Sequence, residues 1–199
     1  MKEFWDQRFS EPGFAYGREP NTFFAEVLDS FAPGRLLLPG EGEGRNAIYA
    51  AGNDWEVSAF DQSIVARNKA LEWAASMDLQ IDYRLASLEE FYCPDPIFDL
   101  IAIIYIHMLP ETRQKVHTRM RACLKRGGKL IMECFHKNQL SFGTGGPPIE
   151  ELLYLEDDIQ SDFSDLDIDL CEEQVLDIYE GKYHSGKSSV VRLIADKPF

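Results

Sequence analysis

The stretch LLLPGEGEGRNA, residues 36–47, decides how this chain is read, together with the apolar run WEVSAFDQS at residues 55–63. The leucines read as a buried strand, Gly40, Gly42 and Gly44 as a tight turn, and Arg45-Asn46-Ala47 as the first turn of a helix. The second run reads as the next strand, closed by Asp61. Glycines leave no side chain between a turn and its ligand, and the helix start offers free N–H groups. Neighbouring strands of a βαβ unit end at one edge, so an acid at the end of the second strand reaches the ribose hydroxyls of a nucleoside held by the first turn.

Length and composition narrow the class. A chain of 199 residues supports one domain with a proper core. Its 45% hydrophobic and 12% aromatic content excludes a disordered chain. The longest apolar stretch, residues 97–109, contains Asp99 and His107 and is too short for a bilayer span. The N-terminal MKEFWDQRF lacks the apolar segment of a secretion signal, so Cys93, Cys123, Cys134 and Cys171 read as reduced cytoplasmic thiols. None has the spacing of a zinc ligand pair, and no metal is expected. A formal charge of -14 argues against nucleic acid and anionic membranes and favours a small-molecule substrate. Residues 150–177 contain no Lys or Arg, and this acidic stretch reads as a solvated helix and loop face rather than a cation site.

Strand patterns fall at residues 35–38, 56–60, 80–85, 98–104, 129–135, 168–179 and 188–195, with helical patterns at 22–31, 45–51, 63–76 and 111–124. Alternation of this kind predicts an α/β doubly wound sheet of seven strands in a single domain: an N-terminal segment over 1–31 and a core over 35–199. Only EGKYHSGK, residues 180–187, separates the last two strands. A parallel crossover needs a dozen or more residues, so these two form an antiparallel hairpin. That ending suits a methyl-donor domain better than a nicotinamide domain, which usually carries a separate substrate domain. Residues 42–47 nevertheless satisfy GxGxxA, so an NAD(P)-dependent oxidoreductase stays open as an alternative, as does a non-catalytic nucleoside-binding regulator.

At these residues the chain resembles the class I S-adenosylmethionine-dependent methyltransferases, in the branch similar to tellurite-resistance (TehB-like) and thiopurine methyltransferases. The likeness rests on WDQRF with YGREPN (5–9 and 16–21), PGEGEGRNA, AFDQS, FDLIAIIYIHMLP with LKRGGKLIMECF, and GTGGPP with EGKYHSGK. It implies a Rossmann-like fold and S-adenosylmethionine as donor, with S-adenosylhomocysteine as product. It further implies that Gly40, Glu41, Gly42 and Gly44 approach the methionine part, that Asp61 and Gln62 serve the ribose, and that Ser87 and Leu88 flank the adenine; Tyr105, at the end of the fourth strand, stands where it can wall the transfer zone or serve as plain core. Trp5, Phe9 and Tyr16 resemble a segment that closes over the donor; spaced four apart, Trp5 and Phe9 equally suit one packed helix face. Two positions depart from the family pattern: Leu38 stands where an acid is usual, leaving Glu41 or Glu43 to meet the donor's amino group, and Ser87 replaces another acid. The resemblance favours a soft sulfur, selenium or tellurium acceptor.

Methyl transfer is an in-line displacement that needs alignment more than a covalent nucleophile, and alignment is worth about 7–11 kcal/mol. An amine or hydroxyl acceptor needs a base, whereas a soft anion needs little or none. His107, His136 and His184 all fall at the carboxyl edge of this topology, with His184 and His107 the candidate catalytic residues. His136, Tyr183 and Arg45 are the further acceptor-side candidates, and His117, mid-helix between Lys115 and Arg119, reads as surface.

Overall fold

The computed structural model describes residues 2–199. Its strands are β1 (Arg35–Pro39), β2 (Glu56–Asp61), β3 (Asp82–Leu85), β4 (Phe98–Ile104), β5 (Leu124–Phe135), β6 (Asp167–Glu180) and β7 (His184–Asp196). Its α-helices are α1 (Lys2–Phe9), α2 (Thr22–Leu28), α3 (Arg45–Gly52), α4 (Ile64–Ser76), α5 (Pro110–Cys123) and α6 (Glu156–Asp162). The seven strands follow the order β3-β2-β1-β4-β5-β7-β6, mostly parallel with a C-terminal antiparallel hairpin, which is the expected sheet.

The chain divides into two compact units, residues 1–91 with 180–182, and residues 92–179 with 183–199. In the first, β1 pairs parallel with β2 and β2 with β3. Leu36, Leu37 and Leu38 are buried, so Leu38 is core where the family pattern has an acid. Ser63 caps α4 through its hydroxyl, which accepts the Ala66 N–H, and Asn21 caps α2 through the Phe24 N–H. Each removes an orphan donor from a helix start.

In the second unit β4 pairs parallel with β5, and β5 antiparallel with β7. Leu100, Ile101, Ala102 and Ile103 are all buried, the continuous apolar pattern of a strand covered on both faces. β5 begins five residues earlier than the sequence pattern suggests, because Phe98 pairs with Leu124 and the register then shifts, Leu100 pairing with Lys129. Gly127 at φ +71 sits in the intervening segment. The hairpin is also tighter than expected: β6 ends at Glu180 and β7 starts at His184, which puts His184 on the strand instead of mid-turn.

His117 is not on the surface. Its side chain is buried, with Nδ1 2.8 Å from Asp162 Oδ2 in α6, its ring stacked on Phe163, and Arg113 holding the same carboxylate at 2.7 Å. Lys115 and Arg119 flank it in sequence, but a helix turns 100° per residue, so neighbours in sequence do not share its face.

Candidate functional site

In the first unit the glycine turn is built around backbone that only glycine adopts cheaply: Gly40, Gly42 and Gly44 have φ +58, +64 and +92. Gly44 occupies the N-cap position of α3 with no side chain to offer. Glu41 supplies the cap instead, its Oε1 accepting the N–H of Asn46 and of Ala47 at 2.8 Å each while Oε2 accepts the Asn46 amide. Burial pushes its carboxyl up to about 7, against the pull of those donors. Glu43 accepts the Ala15 N–H and Lys69 Nζ, both at 2.7 Å. Both acids near the turn therefore face protein donors.

Asp61 ends β2 nearly buried. Its Oδ2 accepts the Gly42 N–H at 3.1 Å and Oδ1 the Ser63 N–H at 2.8 Å. Burial raises its pKa, opposed by these backbone bonds. The acid and the turn thus lie within one hydrogen bond of each other. From below, the Tyr83 hydroxyl donates to the Gly42 carbonyl at 2.6 Å, an anchor that its place in the short strand β3 did not announce. Gln62 is half-buried. Ser87 and Leu88 are half-buried as well, and the Ser87 hydroxyl exchanges hydrogen bonds with Glu90. This pair has the form of a capping box. Beside it Phe60 and Phe91 stack with centroids 4.2 Å apart.

The N-terminal segment packs on the turn. Trp5 stacks on Phe9, and Phe9 meets Tyr16 edge-on. A Cβ on Gly42 would stand 3.2 Å from the Phe9 ring, so this glycine leaves the room that Phe9 fills. Asp6 accepts the Ser63 hydroxyl at 2.6 Å, and Lys69 Nζ also holds the carbonyls of Glu11 and Gly13. Arg45 donates to the Tyr16 carbonyl and pairs with Glu180 at 2.8 Å, while Asn21 donates to the same Glu180.

The second unit holds the remaining candidates. Tyr105 follows β4 at φ +52, a strained conformation for a bulky residue. It is fixed from both ends: its N–H donates to the Glu133 carbonyl and its hydroxyl to Glu133 Oε1, each at 2.8 Å. Glu133 in turn pairs with Arg192. The Tyr105 ring stacks on Phe135 at 4.8 Å and meets His184 edge-on at 4.6 Å. Phe135 also meets His184 at 5.0 Å and His107 at 5.7 Å. Tyr105, His107 and His184 are thus gathered around Phe135, which the sequence reading did not single out. Gly145 fits against His184 and Phe135, where a Cβ would come within 3.0 and 3.2 Å.

His107 Nδ1 lies 2.9 Å from the Leu152 carbonyl. A carbonyl only accepts, so Nδ1 carries the proton and Nε2 faces the Phe135 N–H at 3.4 Å. Desolvation, with the charge of His184 nearby, lowers its pKa to about 4. The ring is neutral near pH 7 and both of its nitrogens are engaged. Tyr154, in the acidic stretch, positions the same loop: its hydroxyl accepts the Met108 N–H and donates to the Ile106 carbonyl. His136 points to the other face of β5 from Phe135, as alternation along a strand requires, and its ring nitrogens face Glu156 and Glu173. Tyr183 is half-buried in the hairpin turn.

A glycine turn opening a helix, an acid on the adjacent strand and this strand order define a Rossmann-like nucleoside-binding α/β protein. Residues 37–128 match the family model described as a methyltransferase domain. The chain is similar to "Probable thiol methyltransferase 2" of Arabidopsis thaliana, 30% identical over 66% of this chain and 59% of that protein. It is also similar to ubiquinone biosynthesis O-methyltransferase of Alkalilimnicola ehrlichii, 29% identical over 60% of this chain and 49% of that one. It spans about half to three-fifths of the length of these curated relatives. The structure of TehB from Haemophilus influenzae shares the fold, with a TM-score of 0.75 at 14% identity over 98% of this chain and 66% of that one. Over residues 37–128, a little under half of the chain, the sequence is thus similar to a methyltransferase domain. Among the described residues no helix is long and apolar enough to cross a membrane.

Proposed function

We propose that the chain transfers a methyl group from S-adenosylmethionine to a small-molecule acceptor with a soft sulfur, selenium or tellurium nucleophile, as one cytoplasmic domain. The observation that carries the donor half is the hydrogen bond between Asp61 and the Gly42 amide, inside a segment that matches a methyltransferase domain. Bound S-adenosylmethionine supplies an electrophilic methyl group on a sulfonium. Asp61 presents carboxylate oxygens to ribose hydroxyls, the Gly40–Gly44 backbone admits the amino-acid part, and the Phe60–Phe91 stack and Leu88 offer apolar surface for the adenine. Phe9 and Trp5 keep water from the turn.

On the acceptor side, Tyr105, Phe135, His107 and His184 form an aromatic cluster, the surroundings a polarisable sulfur favours. His107 cannot serve as base while its Nε2 accepts from the Phe135 amide and its pKa stands near 4. An acceptor that arrives as a thiolate or selenolate would need no base; bound S-adenosylmethionine would supply its methyl group and leave as S-adenosylhomocysteine. The names of the thiol methyltransferase relative and of TehB support this acceptor class, and with it a part in tellurite resistance. The O-methyltransferase relative favours a second reading: an oxygen acceptor requires proton removal, and His184 is then the residue for it.

Calorimetric titration with S-adenosylmethionine, S-adenosylhomocysteine and NADH tests the donor. Binding of the two sulfur nucleosides and not NADH is expected, and tight NADH binding without response to either would overturn the proposal. Release of S-adenosylhomocysteine across a panel of thiols, selenite, tellurite, phenols and amines then tests the acceptor. Turnover confined to oxygen acceptors, abolished by His184→Ala, would replace the soft-acceptor reading.

A further inference from the structure

The acidic stretch and His136 are left over by the chemistry above, and they meet. We propose that His136, Glu156 and Glu173 form a binding site for a divalent first-row metal ion. His136 follows β5 and is itself buried, Glu156 opens α6, and Glu173 lies in β6. His136 Nε2 stands 3.2 Å from Glu156 Oε2, and Nδ1 3.3 Å from Glu173 Oε1. One donor atom from each residue can be chosen so that all three lie within 4.8 Å of one another.

Charge makes this more than a polar contact. Among the described residues no Lys or Arg forms a salt bridge with Glu156 or Glu173, so the two carboxylates meet at His136 with no Lys or Arg between them. The framework is held from outside. Glu173 Oε1 accepts from the Asn138 amide at 2.8 Å and the Ser189 hydroxyl at 2.6 Å, and Glu156 Oε1 accepts the Glu173 N–H at 3.2 Å. Bonds of this kind orient the ligands before the ion arrives. The Asn138 N–H donates to Nδ1 at 3.1 Å, so Nε2 beside Glu156 Oε2 is the ring N–H, and a metal ion bound there would take the place of that proton. The carboxylates are 32% and 27% exposed, so the ion can enter with water in its open positions. One imidazole with two carboxylates suits zinc or manganese over softer ions.

The ion would clip the end of β5 to α6 and β6. The segment between them supplies the Leu152 carbonyl to His107 and the Tyr154 hydroxyl to Met108, so the site stiffens the support of the aromatic cluster from behind. A proton on the ring competes with the metal, and affinity should rise with pH.

Titration calorimetry of the full chain with ZnCl2 and with MnCl2 at about pH 7.5 tests the site. One ion bound per chain is expected, with affinity lowered about tenfold or more in Glu156→Gln and in His136→Gln. Glu156→Gln changes a partly exposed side chain and keeps the test usable if His136→Gln does not fold. Absence of binding would overturn the proposal, as would binding unchanged in Glu156→Gln, which would place the ion elsewhere on the chain. A melting temperature that responds to pH but to neither metal would overturn it too, making the trio a protonated-histidine clasp.

Discussion

Gly44→Ala tests the reading of the glycine turn most directly. Gly44 has φ +92, and a Cβ built on it would lie 2.7 Å from the Ala70 Cβ of α4. Left-handed backbone costs a residue with a Cβ about 1–2 kcal/mol. Overlap with a methyl group fixed to a helix backbone adds about 1–3 kcal/mol. The variant should lose roughly 2–5 kcal/mol, which for a chain of this size lowers the melting temperature by about 4–20 °C. Ala70→Gly removes the overlap but not the strain, and alone costs about 1 kcal/mol in a helix interior. Urea unfolding of the wild type, both single variants and the double variant closes the cycle. The double variant should be less damaged than the sum of the singles by about 1–3 kcal/mol. Additivity within about 0.5 kcal/mol would refute the idea that Gly44 is there to let α4 approach the turn.

Asp61→Ala should weaken S-adenosylmethionine binding about 10- to 150-fold, the worth of a hydrogen bond to a charged group; calorimetry that returns an unchanged dissociation constant would remove Asp61 from the donor site. Burial lowers the pKa of His117 below its ordinary 6.5, and for Asp162 the bonds from His117 and Arg113 outweigh burial and hold it below 3.8. The unfolded chain therefore takes up protons first at both groups, so stability is lost as pH falls below about 6.5. His117→Gln should flatten the urea midpoint between about pH 7 and 5, and an unchanged slope would count against the network. Glu41 acts in the opposite sense, because burial raises its pKa from 4.5 to about 7. Its stabilising contribution is full below the unfolded value and is lost as pH rises toward 7. Glu41→Gln should gain on the wild type by at most about 3 kcal/mol over that interval, measured by unfolding at several pH values.

Much of this was legible in the chain. The leucine run, the glycines and Asp61 are local signals, and each lies in the element and at the end predicted, because strand burial and turn conformation depend on neighbours a few residues away. The hairpin followed from loop length alone. What escaped was long-range. His117 shares a carboxylate with Arg113 from α6, some 45 residues on, and only packing shows that its helix face is the inner one. Phe135, Tyr154 and Tyr83 carry no local signal of their roles, since sequence pattern gives burial but not the partner of a ring or a hydroxyl.

By itself, then, the sequence determined the sheet, its chain direction and the place of the glycine turn, all properties of local pattern and connection length. Only the tertiary structure decided how the polar groups are spent. Glu41 and Glu43 turn toward protein amides and Lys69, His107 is held neutral between the Leu152 carbonyl and the Phe135 amide, and His136 turns away to Glu156 and Glu173. The physical reason is that a buried polar atom must find a partner wherever the fold brings one, and partners distant in sequence leave no local trace.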